Sequence, residues 1–309
     1  MGRLRLSVSL PTYAAEDPGG WDHVFDIARA ADLAGVDRVV VSDHVVFGED
    51  LDAYAKPERG GVEGGRQPTG PDGHWLEPLT VLTAVAVQTD RVRLGTYILL
   101  AALRRPAVLA KQVATLDVLS GGRLDLGVGI GWQREEYEAS GLDYAARGRL
   151  LDHTLEVCQT LWCDQRASVD TSELAFDGIH AMPKPVQSGG LPVWVSGRAN
   201  AKVAQRLARF GRGWIPWAED AAAPATAVPT MRAEVERAGG DPAFDVLVPF
   251  RVVRGDDGAA DLAGVRAGLE DLAGVGVTDV LVHVRALRSF AEAETAYGDL
   301  VETLVAATG

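Results

Sequence analysis

Short apolar runs alternate with helix-length amphipathic segments from one end of the chain to the other, and few folds are compatible with that alternation. The runs predict strands at 4–10, 38–42, 92–98, 123–128, 192–196, 213–216, 246–253 and 279–284. Helical patterns fill the intervals, at 21–34, 76–89, 107–119, 147–162, 199–210, 226–238, 262–272 and 289–306. Strands that each lead into a helix are the mark of parallel β/α architecture, because a parallel neighbour is reached only through a crossover. Eight such units suffice for a (β/α)8 TIM barrel, which takes about 250 residues before insertions. With 309 residues and no Pro/Ser-rich linker, residues 1–309 are expected to form one domain.

Two stretches stand outside the repeating unit. Residues 48–74 are polar, rich in Gly and Pro and without periodicity. A barrel places this loop, which follows strand two, at the C-terminal face where active sites lie, so it is expected to border the site. Residues 166–179 are expected to be an inserted extended segment, and Ala221–Pro229 a βα loop.

Net charge is −13, from 30 basic and 43 acidic residues, and no basic cluster exceeds two adjacent positions. That argues against a nucleic-acid partner, which needs a basic face. No stretch approaches the ~18 apolar residues of a membrane span, and the chain runs straight from Met1 into a strand pattern, so a cytoplasmic protein with no membrane partner is expected. The histidines show no spacing suited to zinc, and no metal site is expected. Cys158 and Cys163 lie five positions apart, about 140° around a helix, and are expected to be inert core thiols.

Three clusters could carry chemistry. Gly127-Val-Gly-Ile-Gly131-Trp132 ends a strand, but the G-x-G-x-x-G test fails because Trp132 occupies the third glycine position. It can be a plain strand-to-helix turn, or a close backbone approach to a flat ligand with Trp132 as a wall. Asp43-His44 follows the apolar run Val39-Val-Val41, at a strand end that faces the shared pocket. Histidine is the natural acid/base near neutral pH and a neighbouring carboxylate could orient it; equally, Asp43 could cap a turn while His44 packs. Ser196-Gly197-Arg198 leads from an apolar strand into a helix whose free N–H groups would suit a phosphate, unless Ser196 or Asn200 caps the helix.

The order of these blocks is similar to that of the bacterial luciferase-like superfamily. Ala34-Gly35-Val36-Asp37 leading to Val41-Ser42-Asp43-His44 resembles its second βα unit, and Glu77-Pro78-Leu79-Thr80 with Arg91-Val-Arg-Leu-Gly95-Thr96 its third. Leu119-Ser-Gly-Gly-Arg123 and Leu126-Gly-Val-Gly-Ile-Gly131-Trp132, with Glu135 and Glu136 just beyond, resemble the most specific block. Pro192-Val-Trp-Val-Ser196-Gly197 and Gly211-Arg-Gly-Trp-Ile-Pro216 complete the likeness, which is weaker over the last ninety residues.

The resemblance implies a flavin or deazaflavin at the C-terminal ends of the strands, and the Asp-His, Leu-Ser-Gly-Gly-Arg and Gly-Trp blocks look most like the coenzyme F420 branch, with FMN the alternative. It implies cofactor contacts from Tyr97, Ile98, Gly129, Ile130, Gly131, Trp132, Tyr137, Ser196, Gly197 and Arg198, with a non-prolyl cis peptide at Tyr97-Ile98. His44, with Asp43, would transfer protons. Trp132 stands where the sugar-phosphate dehydrogenase members carry a carboxylate, which points instead to an apolar or aromatic small-molecule substrate against Tyr13 and Trp217. The acidic F420 tail would need a basic path, for which Arg59, Arg66, Arg104, Arg105 and Arg198 are candidates. A homodimer is the expected assembly. The expected activity is F420-dependent hydride transfer; the alternatives are an FMNH2-dependent monooxygenase and a non-catalytic flavin-binding protein.

Overall fold

The computed structural model describes residues 4–57, 61–63, 65–188, 190–254, 260–284 and 287–308. The chain opens with β1 (Arg5–Ser9), β2 (Tyr13–Ala14), α1 (Asp22–Ala34), β3 (Arg38–Val41), β4 (His74–Trp75), α2 (Pro78–Ala86), β5 (Arg93–Thr96) and α3 (Pro106–Leu119). Next come β6 (Leu124–Val128), α4 (Arg134–Ala139), α5 (Arg147–Cys163), β7 (Ala167–Asp170), β8 (Ala175–Ile179), β9 (Val193–Gly197), α6 (Ala201–Phe210) and β10 (Gly211–Pro216). The chain ends with α7 (Glu219–Ala222), α8 (Pro224–Arg237), β11 (Asp245–Pro249), α9 (Leu262–Gly274), β12 (Asp279–Val282) and α10 (Phe290–Thr308).

Strands β1, β3, β5, β6, β9, β10, β11 and β12 close a parallel barrel in chain order, and every expected strand is one of them. The register runs Ser7 to Arg38, Val39 to Leu94, Gly95 to Asp125, Gly127 to Trp194, Trp214 to Val246 and Leu247 to Asp279. Leu6, Val39, Leu94, Leu126, Val195, Val246 and Val280 face outward and are buried beneath the helices. Their alternates face inward, since side chains two apart on a strand share a face.

The inward set is layered. At the N-terminal end Arg38 donates to Asp125 at 2.7 Å and to Asp279 at 3.0 Å. Arg5 holds Asp279 at 2.6 Å, and Arg93 holds Asp125 at 2.7 Å. Arg38 and the two carboxylates are buried, Arg5 and Arg93 reach them from the partly exposed rim, and together they close the barrel floor. Above them lie Val40, Trp194, Ile215, Leu247 and Leu281, with Tyr97 and Ile98 packed on top. The Trp194 ring centroid lies 4.6 Å from the Arg38 guanidinium, and the indole fits because position 213 has no side chain: a Cβ there would stand 2.4 Å from the ring.

Both irregular stretches acquire local structure. Residues 48–74 hold a short 3₁₀ turn at Leu51–Ala55 and end in β4, which pairs antiparallel with β2 to set Tyr13 opposite Trp75. The segment 166–179 is the hairpin β7–β8. Ala221–Pro229, expected to be a loop, is instead helical, forming the end of α7 and the first turns of α8. Pro224 stands at the first position of α8, where its missing N–H is not needed and its φ is preset, and the alanines around it favour helix. A second correction concerns the cysteines. Cys158 is buried, but Cys163 is exposed, because 140° of rotation carries it off the buried stripe of α5.

Candidate active site

The mouth of the barrel is assembled from strand ends that the core holds in place. Past β5 the chain makes a cis peptide between Tyr97 and Ile98, then rejoins the sheet where Leu99 N donates to Gly127 O at 2.7 Å. Gly129, one strand over, lies against both Ile98 and Ser196: a Cβ on it would be 2.7 Å from Ile98 Cδ1 and 3.7 Å from Ser196 Cβ. The ends of β5, β6 and β9 thus form a small uncharged floor. Gly131 turns the chain with φ +68°, a left-handed conformation that favours glycine, and Trp132 follows.

Tyr137 does not face the mouth. It is fully buried on α4, and its hydroxyl donates to Ile130 O at 2.7 Å, so it braces the turn from behind. Trp132 is anchored likewise, its carbonyl accepting from Tyr144 at 2.9 Å.

The structure separates Asp43 from His44. The Asp43 carboxylate turns inward, accepts from Leu100 N at 2.8 Å and takes Arg104 in a two-pronged grip at 2.6 and 3.1 Å. Burial works against the charge of Arg104, but Asp43 and Glu77 more than offset it and hold its pKa above the ordinary value. Asp43 therefore pins the segment just beyond Ile98. The carboxylate beside His44 is Glu136 on α4, whose Oε1 lies 3.2 Å from Nδ1 and 2.8 Å from Val45 N. Glu136 is completely buried, and the His44 side chain only 11% exposed.

Aromatic rings surround His44. Phe47 is 4.5 Å away, Trp75 meets it edge-on at 4.8 Å, and Trp132 is 6.1 Å distant. Tyr13 stacks on Trp75 at 4.3 Å, which ties the β2–β4 ribbon to the site. Tyr54 approaches Trp132 at 5.4 Å and Trp217 at 6.4 Å, so the loop after β3 connects the two tryptophans. A cavity of about 2170 Å³ is lined by Tyr13, by Ser9, Phe250 and His283 near the ends of β1, β11 and β12, and by Glu292 and Asp299 of α10 among others. Ser9 Oγ lies 2.9 Å from His283 Nδ1 there.

The expected phosphate cradle at α6 is partly filled by the protein. Asn200 Oδ1 accepts from the N–H groups of Lys202 and Val203, both at 3.1 Å, and Asp220 accepts from Ala199 N at 2.6 Å. Of the cradle, Ser196 and Gly197 stay at the mouth, while Arg198 pairs with Glu219 at 3.0 Å. Among the other arginines of the expected basic path, Arg104 is bound to Asp43 and Glu77, Arg105 is exposed, Arg66 borders the cavity, and Arg59 lies outside the described residues. Among the described residues no group of three or more His, Cys, Asp or Glu is placed to hold a metal, and no helix is long and apolar enough to cross a membrane.

Residues 5–300 match the profile of a family described as luciferase-like monooxygenase. The chain is a member of that family. An uncharacterised protein of Mycobacterium tuberculosis is 37% identical over 145 residues, covering 47% of this chain and 51% of that protein, so the match spans about half of the relative's length. An F420-dependent glucose-6-phosphate dehydrogenase of Nocardia farcinica is 30% identical over 220 residues, 70% of this chain and 57% of the relative. The solved structure of a monooxygenase from Streptomyces bottropensis covers 99% of this chain and 100% of its own, with TM-score 0.75 and 20% identity, a likeness of fold.

Sequence reasoning about this luciferase-like chain noted Glu136 only as part of a block, and passed over Phe47, Tyr54, Trp75 and Gln133. The signal for Glu136 was weak. Adjacent residues on a helix point about 100° apart, so Glu135 and Glu136 face different ways, and the sequence does not say which is the buried one. Phe47, Tyr54 and Trp75 sit on or beside a loop with no periodicity to orient them.

Proposed function

We propose that this luciferase-like protein is an oxidoreductase that uses the deazaflavin coenzyme F420 to move a hydride to or from a small, apolar or aromatic organic substrate. The observation that carries the reading is the setting of His44: one proton-transfer group, at a barrel strand end, nearly dry and walled by Phe47, Trp75 and Trp132. The mouth also fits a planar ring. Ile98, Gly129 and Ser196 meet as a floor with no charge and little bulk, so a flat tricycle can approach the backbone closely. The F420-dependent relative supports the choice of cofactor.

When bound, the deazaflavin supplies or accepts the hydride, the chemistry no protein side chain provides. Ile98, Gly129 and Ser196 would support the ring, and Ser196 and Gly197 would lie nearest its phosphate. Trp132, Trp75 and Phe47 exclude water, which strengthens each remaining polar interaction. His44 gives a proton to, or takes one from, the substrate oxygen or nitrogen as the neighbouring carbon is reduced or oxidised. Tyr13, which stacks on Trp75, also lines the cavity between the strand ends and α10.

The test is an absorption titration of the full chain with F420 and with FMN, followed by turnover with His44→Ala. F420 is expected to bind more tightly, with the tightness falling as salt is added and as the acidic tail is shortened. His44→Ala is expected to lower turnover by about 10²–10⁴-fold while F420 affinity stays within a few-fold. Preferential FMN binding with substrate-dependent oxygen consumption would replace this reading with a monooxygenase. Binding without any turnover would leave a cofactor-binding protein.

A further inference from the structure

The inner face of α4 does more than brace the glycine turn. Gln133, which immediately precedes α4 in an extended conformation, and Glu136, in its first turn, both reach the strand-two loop. Gln133 accepts from Gly48 N at 2.7 Å and donates to Val46 O at 3.0 Å. Glu136 Oε1 accepts from Val45 N at 2.8 Å and faces His44 Nδ1 at 3.2 Å. Its other oxygen, Oε2, is buried with no hydrogen-bond partner among the described residues. A fully buried carboxylate that leaves one oxygen unsatisfied is costly, and a site that needed only packing would be served better by an apolar residue.

We propose that Glu136 is a positioning residue that fixes the His44 ring and its tautomer, making Nε2 the atom that accepts and returns the proton. The proposal rests on the reading of His44 as the proton-transfer group. Its chemistry follows from the shared oxygen. Val45 N–H can only donate, so Oε1 must present a lone pair to it. A carboxylate carries no proton to offer, so a hydrogen bond between its Oε1 and His44 Nδ1 needs the hydrogen on Nδ1. In the neutral ring Nε2 then holds the lone pair. Nε2 lies across the ring from Nδ1 and so points away from Glu136. When His44 takes a proton there, the carboxylate already faces the new positive charge, and the ring does not need to turn to release it. Asp43, adjacent in sequence, cannot do this, since Leu100 and Arg104 occupy its oxygens.

Two variants separate positioning from simple support. In Glu136→Gln the Val45 N–H selects the amide oxygen rather than the NH₂ for the shared position, so the same acceptor meets His44 and the Nδ1–H tautomer is retained. Glu136→Leu fills the space but accepts nothing. Glu136→Leu is expected to lower kcat by on the order of 10²-fold with KM within a few-fold, and Glu136→Gln to stay within about tenfold of wild type. The decisive readout needs no cofactor. In ¹⁵N spectra of the ligand-free full-length protein, with the His44 signals identified by their loss in His44→Gln, neutral His44 is expected to carry its hydrogen on Nδ1. That hydrogen should stay on Nδ1 in Glu136→Gln and distribute over both nitrogens in Glu136→Leu. A wild-type ring protonated on Nε2, or a Glu136→Gln enzyme as slow as Glu136→Leu, would overturn the proposal. Should the tautomer be as stated while F420 fails to bind, the functional reading fails alone.

Discussion

Replacing Asp43 with Ala is expected to destabilise the protein strongly and to weaken cofactor binding together with it. The side chain is completely buried, and it satisfies two partners: the Arg104 guanidinium, held at 2.6 and 3.1 Å, and the Leu100 N–H at 2.8 Å. Removing one member of a buried ion pair costs about 3–5 kcal/mol, because the other charge stays buried. Arg104 keeps Glu77 at 2.8 Å and is 14% exposed, which places its share at the lower end of that range. The orphaned Leu100 amide adds about 1–3 kcal/mol, and since both partners belong to one network the two costs overlap. A total near 3–5 kcal/mol follows, or roughly 5–8 °C in Tm for a domain of this size. Asp43→Asn keeps an acceptor for Leu100 and loses only the charge, so about 1.5–3 kcal/mol is expected. The assay is urea unfolding of both variants with the slope checked against wild type, beside an F420 titration. Because Leu100 anchors the chain just past Ile98, affinity should fall in the same order as stability. Should Asp43→Ala unfold within about 1 kcal/mol of wild type while turnover collapses, the anchor argument is wrong and Asp43 acts on the substrate.

Other expectations follow from the same contacts. Gly213→Ala should cost at least about 1–3 kcal/mol in a urea titration, since its Cβ would stand 2.4–2.7 Å from the Trp194 ring, which cannot move without displacing the barrel interior; a neutral result would mean the indole has another place to go. For Asp32 and Asp125, burial alone would raise the carboxyl pKa, but the amides of Asp90, Val92 and Arg91 for the first, and Arg93 and Arg38 for the second, lower it below the ordinary 3.8. A folded pKa below the unfolded one gives stability that is complete above the ordinary value and lost as pH falls through the folded one. The urea midpoint should therefore hold from neutral pH down to about 5 and drop below about 4, with Asp32→Asn flattening the drop; an unchanged midpoint at about pH 3 would refute it. In the folded protein a thiol reagent should label Cys163 alone, because burial raises the Cys158 pKa and closes access to it; fast labelling of both would contradict the packing of α5.

The sequence by itself determined the barrel. Alternating apolar positions on short runs such as Val39–Val41, each leading into a helix-length pattern, have one economical way to bury both faces, and that needs no knowledge of distant contacts. It also marked Asp43-His44, the glycine turn at 127–132 and Ser196-Gly197 as residues that converge at one end, because parallel strands place all their C-terminal ends on the same rim. Pairings between residues distant in the chain were beyond its reach. Adjacent in sequence, Asp43 and His44 part company, one to Arg104 and the other to Glu136, 92 positions away. Arginine and aspartate on strands look like surface residues until Arg38 is seen to pair with both Asp125 and Asp279 inside the barrel. The helix start at Ser196-Gly197 looks open until Asn200 and Asp220 fill its amides. In each case the deciding energy is the cost of a buried charge or an unpaired N–H. That cost depends on which groups the closed fold brings together, a quantity that local patterning does not contain.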